Sequence, residues 1–273
     1  QNGEIIFDRR YGSTNTFEKN NYPVGYNLGQ SGNTPSQNLV DAYEMIDGTP
    51  FDWNNPEHKS NPYANRDPRL AMSILTNNVE FKDRTIEAWT GGRDGKGVIH
   101  ATRTGYYIYK FIDPNLDLLQ NRTSVHHWVI MRYAEILLSY AEAMNEAYGP
   151  TGNVGYRLNA VRALNQVRNR VGVEMPAVPT AISKEELREK IRNERRVELA
   201  FEDHRFWDVR RWIIAPETLG TPLRGVEITK ISDEEFEYKP IEVEKRTFEP
   251  KMYLYPIPQA DLNTTGWVQN PLW

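Results

Sequence analysis

The 273-residue chain has no cysteine, so it holds no disulfide framework, cysteine nucleophile or thiolate metal site. It has no uninterrupted apolar run long enough to cross a bilayer. Basic residues number 33 against 37 acidic ones, a formal charge of -4, which denies it the electrostatic footprint of a nucleic-acid binder. No Ser-His-Asp order, nucleophile elbow or zinc motif appears, and no cofactor is implied. The chain begins Gln1-Asn2-Gly3, without Met or a signal-peptide pattern, as expected of a processed chain or a piece of a longer one.

Aromatics are plentiful: 7 Trp, 15 Tyr and 9 Phe, enough for a substantial core, beside 17 Pro that point to long polar connections. Three textures divide the chain. Residues 1–125 are rich in Asn, Gly, Pro, Asp and Tyr, with turn chemistry from 31 to 70, a short helical candidate from Gln37 to Ile46, and a strand or two within 98–113. Loops this long are functional or disordered, and their aromatics argue for order. Residues 126–215 read as helices over 128–149, 156–173 and 183–202. The first is apolar on most of its circumference. The second carries Leu158, Val161, Leu164, Val167 and Val171 at helical spacing, and the third opens with a Ser183/Glu186 capping box. Residues 216–273 alternate apolar and polar side chains as edge strands or a hairpin do, and end in a tail pinned by Trp267 and Trp273.

The stretch RNERRVELAFEDHRFWDVRRW (192–212) mixes six arginines and five acids with bulky apolar residues. On a helix, Leu187, Ile191, Glu194, Glu198 and Phe201 share one narrow face, which Arg205 joins if the helix continues. Two carboxylates thus occupy an apolar stripe and need cationic partners there. Arg132, Arg195 and Arg205 are the candidates, forming with Glu194 and Glu198 a structural ion-pair lattice. The near balance of charge removes the nucleic-acid reading.

The same stretch resembles the helix signature of the SusD/RagB family, E-R, E-L, E-G-x-R, D-L and R-W, here Glu194-Arg195, Glu198-Leu199, Glu202 with Arg205, Asp208-Val209 and Arg211-Trp212. Asp203 stands where the family carries Gly. MRYAEILLSYAEAMNE, LNAVRALNQVRNRVG and YLYPIPQADLNTTGWVQNPLW resemble three further family stretches in order, and RDPRL and GYYIYKF fit its middle region more loosely. The resemblance implies a mainly α fold: a tetratricopeptide-like scaffold at 126–215, a loop-rich ligand region at 1–125, and extended strands with a tail at 216–273. It also implies a surface-exposed bacterial outer-membrane lipoprotein that binds glycan, or in some branches peptide, without catalysis. Such a protein caps a SusC-type TonB-dependent transporter. The usual lipidated N-terminal Cys and first helical repeats are absent from this sequence, so the chain is expected to match the C-terminal part of the family, with one side of helix 128–148 buried against the other half.

A sugar site needs exposed aromatic faces with amide, guanidinium or carboxylate groups nearby. Trp53 with Asn54 and Asn55, Tyr63, and Trp89 with Arg93 and Asp94 are the loop-borne candidates. Trp128, Trp207 and Trp212, on helical segments, read as core. A glycoside hydrolase would instead need two cleft carboxylates, for which Asp52, Asp67 and Asp94 are the loop acids. A pure helical-repeat scaffold would bind only protein. The GGRDGKG loop lacks phosphate-loop spacing, Leu118 occupies the glycine position of a calcium loop over 113–117, and the adjacent His126 and His127 fit a helix entrance better than a metal.

Overall fold

Ser183 starts its helix as a capping box requires. Its Oγ accepts from the Glu186 amide at 3.2 Å, and the Glu186 carboxylate accepts from the Ser183 amide at 3.0 Å. The computed structural model describes residues 3–273. The first half of the chain carries β1 (Ile5–Arg10), α1 (Thr16–Asn21), α2 (Gln37–Val40), α3 (Pro56–Ser60) and α4 (Arg69–Ser73). The two-residue strands β2 (Ile74–Leu75), β3 (Glu80–Phe81), β4 (Arg84–Thr85) and β5 (Tyr107–Ile108) follow. The second half runs β6 (His127–Arg132), α5 (Tyr133–Tyr148), α6 (Ala160–Arg168), α7 (Lys184–Glu198), α8 (His204–Arg211) and α9 (Ala215–Thr218). A hairpin, β7 (Leu223–Lys230) and β8 (Phe236–Glu244), and a late helix, α10 (Gln259–Thr265), complete it. The fold is mainly helical, with four two-stranded antiparallel sheets among the described residues: β1–β6, β2–β5, β3–β4 and β7–β8.

Two cores are built on opposite stretches of α7. Leu187 and Ile191 join Leu138 and Ala141 of α5 and Leu164 of α6 in a helical core, all fully buried. Val197, nearly two turns further on, belongs to a second core with Tyr22, Val40, Tyr43, Tyr106 and Tyr107 of the loop region and Ile228 of the hairpin. Each fully buried Leu or Ile contributes roughly 1.5–3 kcal/mol. The long loops are therefore held by a core of their own.

Several boundaries differ from the sequence reading. Residues 127–132 pair with β1 as β6, Arg10 opposite His127 and Ile5 opposite Arg132, so the helix begins at Tyr133. A continuous apolar run satisfies both periods, and here the β-branched and aromatic start takes the strand. The helix buries one face only; Tyr133 and Ile136 are exposed on the other. The second helix is limited to α6 by its Asn159 cap, whose Oδ1 accepts from the Arg162 amide, and Val171 is 93% exposed beyond its end. The Gln37–Ile46 candidate shrinks to α2, and of 98–113 only β5 is strand. Trp207 is 61% exposed rather than core, because α8 turns Asp208 and Val209 inward; Trp128 and Trp212 are half-buried. In the tail, the Trp273 indole donates to the Lys251 and Leu254 carbonyls, whereas Trp267 is exposed and pins nothing.

Glu194 and Glu198 are buried and bridged from four segments. Arg69 of α4 donates to Glu194 at 2.5 Å and to Glu198 at 2.9 Å, while also pairing with Asp67 at 2.6 Å. Arg168 links Glu194 to Glu44, at 2.7 and 2.9 Å. Arg132 reaches Glu198 at 2.7 Å and Glu202 at 2.8 Å, and Arg170 also pairs with Glu198. Arg195 bonds Asp208 instead, at 3.0 Å. Arg205 leaves the lattice altogether: Phe201 and Asp203 both take φ of +64°, so the helix ends before it. Asp203, in the family's glycine position, thus sits in the left-handed region that glycine adopts without strain.

Burial works to raise the Glu198 carboxyl, but Arg132, Arg170 and Arg69 outweigh it and hold it down at about 2, against an ordinary 4.5. A carboxyl depressed in the folded state stabilises above its unfolded pKa and loses that stability as pH falls through the folded one. Urea denaturation should therefore show stability falling by about 2–4 kcal/mol between pH 5 and pH 2 from this group. Glu198→Gln should cost about 3–5 kcal/mol at pH 7 and flatten that slope. Asp203→Gly should raise stability by about 0.5–1 kcal/mol in the same assay.

Candidate ligand-binding site

Asn55 caps α3, its Oδ1 accepting from the Glu57 amide at 2.9 Å, with Pro56 at the first helical position. The chain leaves α3 through Asn61-Pro62-Tyr63 and is fixed there by Arg66. This buried guanidinium donates to the carbonyls of Pro62, Val40 and Tyr43 at 2.6–2.7 Å and lies over the Phe51 ring at 4.1 Å. The loop holds Tyr63 edge-on to Tyr238 of β8, ring centres 5.3 Å apart, with its hydroxyl 3.3 Å from that of Tyr106. Tyr106 in turn donates to Gln37 at 2.5 Å. Burial first, then the neighbouring tyrosines, raises the Tyr63 phenol well above its ordinary range, so it stays a neutral hydrogen-bonding group.

Phe236 lies two residues before Tyr238, on the same face of β8 by the strand's period of two. Trp89 packs on Phe236 at 5.3 Å, and the Lys230 ammonium sits 5.1 Å over the indole. Tyr63, Tyr238, Phe236 and Trp89 thus form a continuous aromatic series between the loop region and the hairpin. Against it opens a cleft of about 1010 Å³, walled by Tyr63, Phe236 and Tyr238 and bordered by Lys59, Asn78 and Glu237. The buried Asn77 amide supports this wall, accepting from the Ala88 amide at 3.1 Å and donating to the Tyr238 hydroxyl at 3.4 Å. Rings plus amide, ammonium and carboxylate groups suit a ligand with apolar faces and hydroxyl edges.

Of the residues singled out in the sequence, Tyr63 walls this cleft and Trp89 backs it through Phe236. The others are engaged elsewhere. Trp53 is half-buried against Phe51 and donates its indole N–H to Asp41 at 3.0 Å. Asn54 closes a local turn on Asp52, and Asn55 is used as the α3 cap. Arg93 is exposed and pairs with Glu87 at 2.6 Å. Asp94 is fully buried: the Arg84 fork donates to it at 2.6 and 2.9 Å, and the Gly25 and Glu87 amides at 3.1 and 2.9 Å. It anchors the GGRDGKG loop and is no ligand group. The same loop folds so closely on itself that a side chain at Gly95 would meet the Trp89 carbonyl at 1.8 Å. Asp67, like Asp94, is locked in a buried ion pair, with Arg69. Phe236 and Tyr238 were the omissions; the alternation in EFEYKP placed them on one face, but not opposite Tyr63. No group of three potential metal ligands occurs among the described residues, and His126 and His127 pair separately with Glu18 and Asp8. No helix among the described residues is long and apolar enough to cross a membrane.

A tetratricopeptide-like helical scaffold that suspends long aromatic loops and one hairpin around an open cleft defines the architecture. The chain belongs to the SusD family, whose family model matches residues 3–273. It is similar in structure to a SusD-like protein of Bacteroides fragilis, with a TM-score of 0.81 and 32% identity over 100% of this chain and 55% of that one. A SusD-like carbohydrate-binding protein of the same species gives a TM-score of 0.77 and 31% identity, over 96% of this chain and 53% of the other. In sequence it is 34% identical over 120 residues to SusD-like protein P2 of Formosa agariphila, covering 42% of this chain and 22% of that protein. The chain spans about half the length of the two solved relatives.

Asp94→Asn should lower stability by about 2–4 kcal/mol in urea denaturation, because it leaves the Arg84 guanidinium without its counter-charge.

Proposed function

We propose that the protein binds glycan at the bacterial cell surface without cleaving it, and passes the ligand to a SusC-type TonB-dependent outer-membrane transporter. Anchoring would come from a lipidated Cys outside this sequence. The observation that carries the reading is the cleft against Tyr63, Phe236 and Tyr238, where aromatic faces stand beside Asn78, Glu237 and Lys59. Sugar C–H faces stack on such rings, and the polar groups read the hydroxyls. Membership of the SusD family and likeness to a carbohydrate-binding relative support it. Of the three loop acids weighed for hydrolysis, Asp67 and Asp94 are held in buried ion pairs and only Asp52 is exposed, in a local turn with Asn54. That leaves no pair of free carboxylates among them and supports binding over cleavage.

Affinity electrophoresis through gels containing different polysaccharides tests the proposal. Retardation by a glycan should fall at least tenfold in apparent affinity in Phe236→Ala, about 1.4 kcal/mol, and persist in Trp53→Ala. A folded chain that no glycan retards would refute it.

A further inference from the structure

A second cleft, also of about 1010 Å³, opens where α2, the end of α7, the turn into α8 and the start of β7 meet. Asn38 joins its walls. Its carbonyl accepts from the Arg196 guanidinium, its Oδ1 accepts from the Arg224 amide at 2.8 Å, and its Nδ2 donates to the Pro222 carbonyl at 3.2 Å.

Four arginines line this cleft: Arg196 of α7, Arg205 of α8, Arg224 of β7 and Arg246, which pairs with Glu244 at 3.2 Å. None of the first three forms an ion pair among the described residues. The contrast with the rest of the molecule is plain, since Arg69, Arg84, Arg132, Arg168 and Arg195 each meet a carboxylate. Arg66, buried without one, instead satisfies three carbonyls. Arg196 has a single carbonyl and Arg205 no hydrogen-bond partner among the described residues. Burial first, then the nearby Arg205 and to a lesser degree Arg224, push the Arg196 guanidinium down to about 10, and Asp41 offsets this counter-charge deficit only in part.

The acids of the cleft supply that counter-charge only in part. Asp41 acts on Arg196 from a distance while accepting from Gln37 and Trp53. Asp203, Glu217 and Glu242 are exposed and form no ion pair with these three arginines, although Glu242 lies opposite Arg224 in the hairpin register. A second feature has the same sign. The N-terminus of α8 lines the cleft, and Asp203 makes no side-chain capping bond to its first-turn amides. Phe201 and Phe206 add apolar surface.

We propose that this cleft binds an oxyanion, the sulfate ester or uronate carboxylate of an acidic glycan. Guanidinium forks match both groups in geometry and are weakly hydrated, so they give up water for an anion at little cost. That an anion binds stands on the arginines and the helix end; that a glycan carries it rests on the function proposed above.

The test uses the full chain, Arg205→Gln, Arg224→Gln and the double variant. Thermal shift and calorimetry with sodium sulfate, glucuronate and neutral glucose, at constant ionic strength, read the site itself. Gels containing a sulfated polysaccharide and its desulfated counterpart read the source of the anion. Sulfate or glucuronate should raise Tm and glucose should not, with at least a tenfold loss of affinity in the double variant. Retardation by the sulfated polymer should fall in step. Equal anion binding by wild type and double variant, or none by either, overturns the site. Small anions that bind while the acidic polymer is retarded no more than its desulfated form overturn the glycan assignment alone. Neutral-glycan retardation sensitive to Phe236→Ala, with no anion effect, would overturn this inference and leave the proposed function standing.

Discussion

Much of the structure depends on one guanidinium. Arg69 donates to both Glu194 and Glu198, two carboxylates a helical turn apart on the buried side of α7, and takes Asp67 as a third partner. Such charges are costly to take out of water; the arginines outweigh that cost at Glu198, yet well-packed apolar residues of similar volume can often stabilise a core as well as a buried ion pair does. What the lattice adds is position. Its contacts have fixed directions and come from α4, β6, α6 and the segment just after α6, so a shift of any one leaves a buried charge unmet. Apolar packing alone tolerates such shifts far better. The lattice therefore registers the loop region against the helices, and through it both clefts.

How much of this was legible follows from locality. Glu194 and Glu198 fall on the Leu187–Ile191 face by the period of a helix, so their need for partners could be read directly. Arg69 could not, because it lies 125 residues from Glu194 in the chain. Arg205 was misplaced for a related reason: nothing in Phe201-Glu202-Asp203 announces two residues at φ +64°, except that Asp203 stands in a family glycine position. The capping box of α7 was readable because it is closed within four residues. The WVIMR run was not, since its strand identity is set by β1, more than 100 residues earlier.

The same distinction explains the candidate site. Loop aromatics were visible as a class, but which of them faces a cleft depends on the hairpin. Tyr63 and Trp89 lie against Tyr238 and Phe236, whereas Trp53, equally prominent in the sequence, has its indole N–H bound to Asp41. Asn55 and Asp94 show the opposite hazard. Polar residues in turn-rich segments look available for a ligand, yet helix caps and loop anchors use the same chemistry first. The exposed face of α5, with Tyr133 and Ile136, was foreshadowed by a helix too apolar to be served by one neighbour.

The hairpin unites the two clefts. Its turn end, where Lys230 pairs with Phe236, presents Phe236 and Tyr238 to the first; its open end, near the pairing of Arg224 with Glu242, reaches the second. At about 3.3 Å per residue, the strand between Arg224 and Lys230 separates these ends by roughly 20 Å. That distance exceeds a single sugar ring severalfold. Taken together, the two proposals describe a ligand read at one end by stacking on neutral rings and at the other by charge, which is chemistry suited to a polymer. A monosaccharide, however charged, could engage only one end, so avidity along the chain would favour the longer ligand without any added contact.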